Sequence, residues 1–229
     1  MDRTPEEDAR RRSPRRRQVL FAAIAALLLA GGLLLALGTG RQQPAPPPAA
    51  DKGAPPVGAP AAPRPPAPSA EPRAAALPPS RPVGITIPSL EVTSDLEQLG
   101  LGKNRAMETP KDPDKAGWYR PGATPGAVGP SVIAGHVTWD RSPAVFFRLA
   151  ELEPGDRIEV RREDGTTAVF TVDRTAVYPK DDFPTVEVYR NLDHAGLRLI
   201  TCGGDFSPQD SRYADNVVVY ASLTGHRSR

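Results

Sequence analysis

Hydrophobic and polar positions alternate with a period of two through much of the second half of the chain. In "DRIEVRREDGTTAVFTVDRTAVY", residues 156–178, Ile158 and Val160 alternate with charged neighbours. Asp164-Gly165 then supplies a turn, and Ala168, Phe170 and Val172 return on one face. That pattern predicts a half-buried β-hairpin. Further strands are predicted in "GITIPSL" (84–90), in "GPSVIAGHVTW" (129–139), in "GLRLITC" (196–202) and in "NVVVYASL" (216–223). Helical periodicity is scarce. "SPAVFFRLAEL" (142–152) predicts one short helix, and "TSDLEQLGL" (93–101) fits helix or strand. Many short strands with Pro/Gly turns predict an all-β domain over residues 83–229, either a closed barrel or a sandwich.

A different pattern governs the first third. Residues 19–37, "VLFAAIAALLLAGGLLLAL", run for 19 positions without a charge. As a helix they span about 28 Å, close to the hydrocarbon thickness of a bilayer. "RRRSPRRR" (10–17) precedes them, and such clusters stay cytoplasmic. The expectation is a cytoplasmic tail (1–18), an uncleaved single-pass anchor (19–37) and an extracellular remainder. A cleaved secretion signal is the alternative, but it would carry a shorter apolar core and a clear small-x-small site, for which "ALG" at 36–38 is a poor match. Residues 41–82 hold 15 of the 28 prolines and no aromatic residue. A disordered linker is therefore predicted over 38–82, reaching roughly 130 Å if fully extended as polyproline II.

Charge and cysteine content narrow the chemistry. The net charge is +2, and residues 1–17 hold seven arginines against four acids. The rest is near neutral, which argues against a nucleic-acid-binding surface. The single cysteine cannot form an internal disulfide. In "LRLITCGG" (197–204), Leu197, Leu199 and Thr201 share one face, and Arg198, Ile200 and Cys202 the other. Gly203 and Gly204 are expected to end the strand and leave the thiol at the rim of the sheet. Such a thiol is either a small packed hydrophobe or a nucleophile. If the next strand pairs antiparallel, Arg212 is expected to return beside Cys202, where a cation would stabilise negative charge. An ordinary surface ion pair is the alternative for Arg212. Of the three histidines, His226 lies in a polar tail and His194 in a loop. His136 closes one β-rich run as Cys202 closes another, as an acid/base partner or a structural histidine. The stretch 179–195 is expected to be a loop overhanging the thiol, with Phe183 and Tyr189 as an apolar wall. No metal-ligand cluster and no cofactor motif is read, and the domain is expected to be a monomer.

The order of "VIAGHVTW", "AVFFRL" with the following "PGDRIEV", "LITCGG" and "RYADNVVVYA" resembles that of a sortase, most closely the actinobacterial class F sortases. "ITIPSLEV" (86–92 within it), "GWYRPGATPG" (117–126) and "PKDDFP" (179–184) extend the likeness over essentially all of residues 83–229. The resemblance implies an eight-stranded β-barrel with one or two short helices. It implies a membrane-anchored cysteine transpeptidase with catalytic His136, Cys202 and Arg212, and with Thr201 beside the nucleophile among the substrate contacts. Its substrates would be exported proteins carrying a C-terminal Leu-Pro-x-Thr-Gly sorting signal, and its acceptor an amine on a peptidoglycan precursor or a protein. A cysteine hydrolase of the same fold and a non-catalytic wall-associated barrel are the competing readings.

Overall fold

The computed structural model describes residues 73–103 and 105–228. The expected cytoplasmic tail, the anchor at 19–37 and the linker up to residue 72 lie outside the described residues. Among the described residues no helix is long and apolar enough to cross a membrane.

Ten strands form. They are β1 (Pro82–Ile87), β2 (Val92–Leu99), β3 (Ala116–Tyr119), β4 (Gly129–Ala134), β5 (Thr138–Trp139), β6 (Ser142–Pro143), β7 (Arg157–Arg162), β8 (Thr167–Pro179), β9 (Ala195–Ser207) and β10 (Arg212–Arg227). Eight of them close into a barrel in the order β1-β2-β3-β4-β9-β10-β8-β7, and β5 and β6 make a small separate hairpin. The closed barrel, rather than the sandwich, is the architecture. Closure also removes the unpaired edges that an open sheet would expose.

Alternation decides what each strand buries. Leu197 and Leu199 of β9 and Val219, Ala221 and Leu223 of β10 point into the barrel, where they join Ile85, Ile133, Phe146 and Phe170. The intervening residues Ile200, Val218 and Tyr220 point outward, yet they are buried as well. Their cover is the 179–195 stretch, which folds into a 3-10 turn (Lys180–Asp182) and a short helix α1 (Thr185–Tyr189) instead of remaining loop. Val188 of α1 is fully buried against this outer face. Glu187 of the same helix pairs with Arg174 of β8. Arg198, also outward, is 7% exposed and lies over the Tyr220 ring at 4.4 Å. Burial pushes the Arg198 guanidinium below its ordinary range.

Three expectations change. The helix at 142–152 reduces to a 3-10 turn at Leu149–Glu151. Its backbone donors are spent elsewhere: Ala144 N–H on Val137, Val145 N–H on Pro113 and Phe146 N–H on His136. The ambiguous 93–101 segment is strand β2, paired with β1 and, in parallel, with β3. Strand β9 does not stop at Gly203. It continues to Ser207 through a bulge in which Gly203 faces Asp215 and Phe206 faces Tyr213, so two residues of β9 stand opposite one of β10. Gly204 adopts φ +73°, and a Cβ there would lie 2.2 Å from the Asp215 carboxylate. Glycine satisfies both demands.

The packed chain also begins ahead of Pro82. Ala74 N–H donates to Leu223, Leu77 N–H to Gly126, and the Leu77 side chain joins the barrel core. The buried guanidinium of Arg162 donates to the Pro78 carbonyl. A chain starting at residue 73 is therefore expected to melt higher than one starting at residue 82. Losing the packing of the partly buried Leu77 and a partner of a buried charge should cost about 2–4 kcal/mol. For a domain of this size that is roughly 5–15 °C, read by thermal denaturation.

Candidate active site

Two strands that run side by side in the same direction bring the site together. Strands β4 and β9 are parallel, with Ala134 opposite Ile200. Two residues further along the chain from these stand His136, just past the end of β4, and Cys202, within β9. Strand β4 ends at Ala134, but Gly135 stays bound to β9. Its N–H donates to the Ile200 carbonyl at 3.1 Å, and its own carbonyl accepts from Thr201 Oγ1 at 2.9 Å. A side chain at 135 would place Cβ 2.6 Å from the fully buried Phe146 ring. Gly135 is thus fixed by close approach.

His136 Nε2 lies 2.8 Å from the Pro110 carbonyl oxygen. A carbonyl only accepts, so Nε2 carries the proton and donates it, and in the neutral ring Nδ1 holds the free lone pair. Pro110 is itself held in place. The Glu97 carboxylate accepts from the N–H groups of Lys111 and Asp112, at 3.0 and 3.1 Å. On the other side of the imidazole is Trp139, with ring centroids 5.0 Å apart. Trp139 sits on the β5–β6 hairpin, whose two turn residues, Asp140 and Arg141, have φ of 43° and 63°. Positive φ at both central residues is the geometry that matches strand twist in a two-residue hairpin.

Cys202 is half-buried on the outward face of β9, and Asn216 of β10 faces it. Lys180 Nζ lies 3.4 Å from its sulfur. A cleft of about 620 Å³ opens over Cys202, and His136, Thr201, Asn216, Phe183 and Tyr189 are among its other lining residues. Burial raises the Tyr189 phenol, so this side chain remains a neutral donor.

The sequence-predicted candidates divide. His136, Cys202, Thr201, Phe183 and Tyr189 meet at the cleft. The Thr201 hydroxyl is buried and committed to Gly135. Arg212 does not return beside Cys202. The strands do pair antiparallel, but the extension of β9 past the bulge carries the hairpin tip further out, so Arg212 faces Ser207 and pairs with Asp181 at 3.4 Å. His194 precedes β9 at the far end of the strand, bound to Asp193, and His226 pairs with Ala168 near the end of β10.

The sortase domain family model matches residues 85–224. The chain belongs to the sortase family. It is therefore an enzyme of a cysteine transpeptidase family. Among solved structures, sortase A of Listeria monocytogenes is 22% identical, with a TM-score of 0.50, over 65% of this chain and 90% of that one. Sortase A of Corynebacterium diphtheriae is 21% identical, with a TM-score of 0.48, over 63% and 62%. A sortase D5 transpeptidase of Clostridium perfringens is 23% identical, with a TM-score of 0.47, over 62% and 78%. The likeness to the Listeria structure concerns the fold alone. No curated protein matches the chain.

Four residues that support this sortase's site escape the strand pattern: Pro110 and Gly135, which line the cleft, Glu97, which binds the backbone after Pro110, and Lys180, which touches the Cys202 sulfur. Each acts through a contact distant in sequence, and only the Gly-His step at 135–136 left a local signal. Glu97→Ala should free the Pro110 carbonyl and let the imidazole wander. A loss of about 10- to 100-fold in kcat/KM is expected, with a change of only a few degrees in Tm, measured by peptide cleavage and thermal denaturation.

Proposed function

We propose that this sortase cleaves a C-terminal Leu-Pro-x-Thr-Gly-type sorting signal between Thr and Gly and transfers the new carboxyl end to an amine. The observation that carries this reading is the parallel register that sets His136 level with Cys202 at the mouth of one apolar cleft. The Cys202 thiolate attacks the threonine carbonyl carbon. The tetrahedral adduct collapses to a thioester as the glycine amine leaves with a proton from the His136 imidazolium. An incoming amine then attacks the thioester, His136 takes its proton, and the sulfur leaves as thiolate. Because Nε2 is engaged by Pro110, Nδ1 is the nitrogen that exchanges the proton. Phe183 and Tyr189 offer the apolar wall for the Leu-Pro side chains.

The motif order supports a class F assignment. The arginine-rich start, the uncharged 19-residue run and the proline-rich stretch support an anchored enzyme with its barrel outside the cell, acting on exported proteins. The acceptor amine belongs to a wall precursor or a protein.

The test is incubation of the enzyme with a sorting-signal peptide, with and without an added amine, followed by mass spectrometry. An acyl adduct on Cys202 and an amine-linked product are expected. Hydrolysis alone, even with amine in excess, would assign the site to a hydrolase. Cys202→Ala should give no adduct and no product. His136→Ala should reduce turnover about 10²- to 10⁴-fold, while His194→Ala and His226→Ala remain near wild type. Phe183→Ala and Tyr189→Ala should raise KM more than they lower kcat, as initial rates across peptide concentration will show.

A further inference from the structure

The transfer reaction leaves negative charge on the Cys202 sulfur twice, once before attack and again when the thioester is broken. A cleft lined mostly by apolar groups needs a counter-charge at that atom, since charge is costly to hold where water is sparse. Arg105 lines the cleft from the loop after β2, and for the cations on and after β8 and β10 the strand register decides which side chain reaches the sulfur. Cys202 faces Asn216, a neutral amide, and Arg212 lies four residues further out on β10, about 13 Å along the strand. The Arg212 guanidinium is turned to Asp181.

Strand β8 approaches the same point from the other side of β10. Tyr178 faces Asn216 and Pro179 faces Asp215, so β8 ends level with Cys202, with one strand between them. The next residue is Lys180, in the 3-10 turn. Its side chain crosses that strand and brings Nζ to 3.4 Å from the sulfur. The residue after it, Asp181, is the one that Arg212 holds.

We propose that Lys180 is a catalytic residue of this enzyme, the cation that faces the negative charge formed on the Cys202 sulfur during transfer, and that Arg212 positions the Lys180 turn through Asp181. This rests on Cys202 being the nucleophile. The ammonium donates a hydrogen bond to the sulfur and keeps its proton throughout, so the proton transfers stay with His136. The work expected of a guanidinium on β10 is thereby done from the turn that follows β8.

The test uses the full chain carrying Lys180→Met, Lys180→Arg, Arg212→Ala or Cys202→Ala. Each is assayed with sorting-signal peptide and amine and followed by thermal denaturation. Alkylation of Cys202 is compared between anionic iodoacetate and neutral iodoacetamide, a ratio that responds to charge at the sulfur and not to general loosening. Lys180→Met should lower kcat about 10²-fold and reduce the iodoacetate-to-iodoacetamide rate ratio, with Tm nearly unchanged. Lys180→Arg should keep the ratio and recover much of the rate. Arg212→Ala should cost less than Lys180→Met and leave the ratio closer to wild type. Wild-type turnover and ratio in Lys180→Met would overturn the proposal while leaving the His136–Cys202 reading intact. So would a larger loss of both in Arg212→Ala, which would return the role to the arginine. Activity retained in Cys202→Ala would instead remove the nucleophile itself.

Discussion

The parallel pairing of β4 with β9 is the constraint on which the site depends. Parallel neighbours end at the same rim, so one register fixes the relative height of whatever follows each strand. Here that register sets Ala134 against Ile200, and the two bonds between Gly135 and β9 carry it one residue past the end of β4. An antiparallel neighbour would have sent the imidazole to the opposite end of the barrel. The rest of the molecule makes this pairing possible. Closing the barrel gives both strands partners on their other sides, and the interior leucines and valines hold them from within.

The two faces of β9 divide the labour. Its inward residues belong to a core that is tightly filled and does not change with chemistry. Its outward residues lie beneath α1 and the Lys180 turn, in a smaller cluster shared with Phe183, Tyr178 and Tyr189. Reactive groups need access, and a barrel interior offers none. Placing the thiol outward, under a short cover of one helical turn, gives it a cleft without opening the core. The attachment of that cover through Val188 and the Glu187–Arg174 pair is modest, which suits an element that a peptide must pass.

What could be read from the sequence follows the range of the interaction. Alternation is local, so the faces of "LRLITC", the long hairpin and the barrel class were legible. The ends of elements were not. Gly203 and Gly204 look like a stop, but the second glycine makes a bulge that lets the strand run on to Ser207. With Cys202 set against Asn216 and the hairpin running on to Ser207, Arg212 stands four residues from the level of Cys202, and the inserted residue shifts its partner by one, from Phe206 to Ser207. The apolar run at 142–152 has a helical look because its hydrophobic residues pack on one side, yet its N–H groups bind neighbouring segments. His136 and Cys202 could be singled out because each follows a β-rich run. Lys180 could not, since its meeting with the sulfur depends on three strands lying in a particular order.

The N-terminal strap has a mechanical meaning. Ala74 is bound to Leu223 of β10, seven residues along that strand from Asn216, and Leu77 to Gly126, just ahead of the start of β4. Both anchor points lie at the pole where β4 and β9 begin, whereas the cleft lies at the pole where they arrive. Force entering through residue 73 would therefore meet the barrel first at that pole, through the backbone bonds to Leu223 and Gly126, and not at the His136–Cys202 rim.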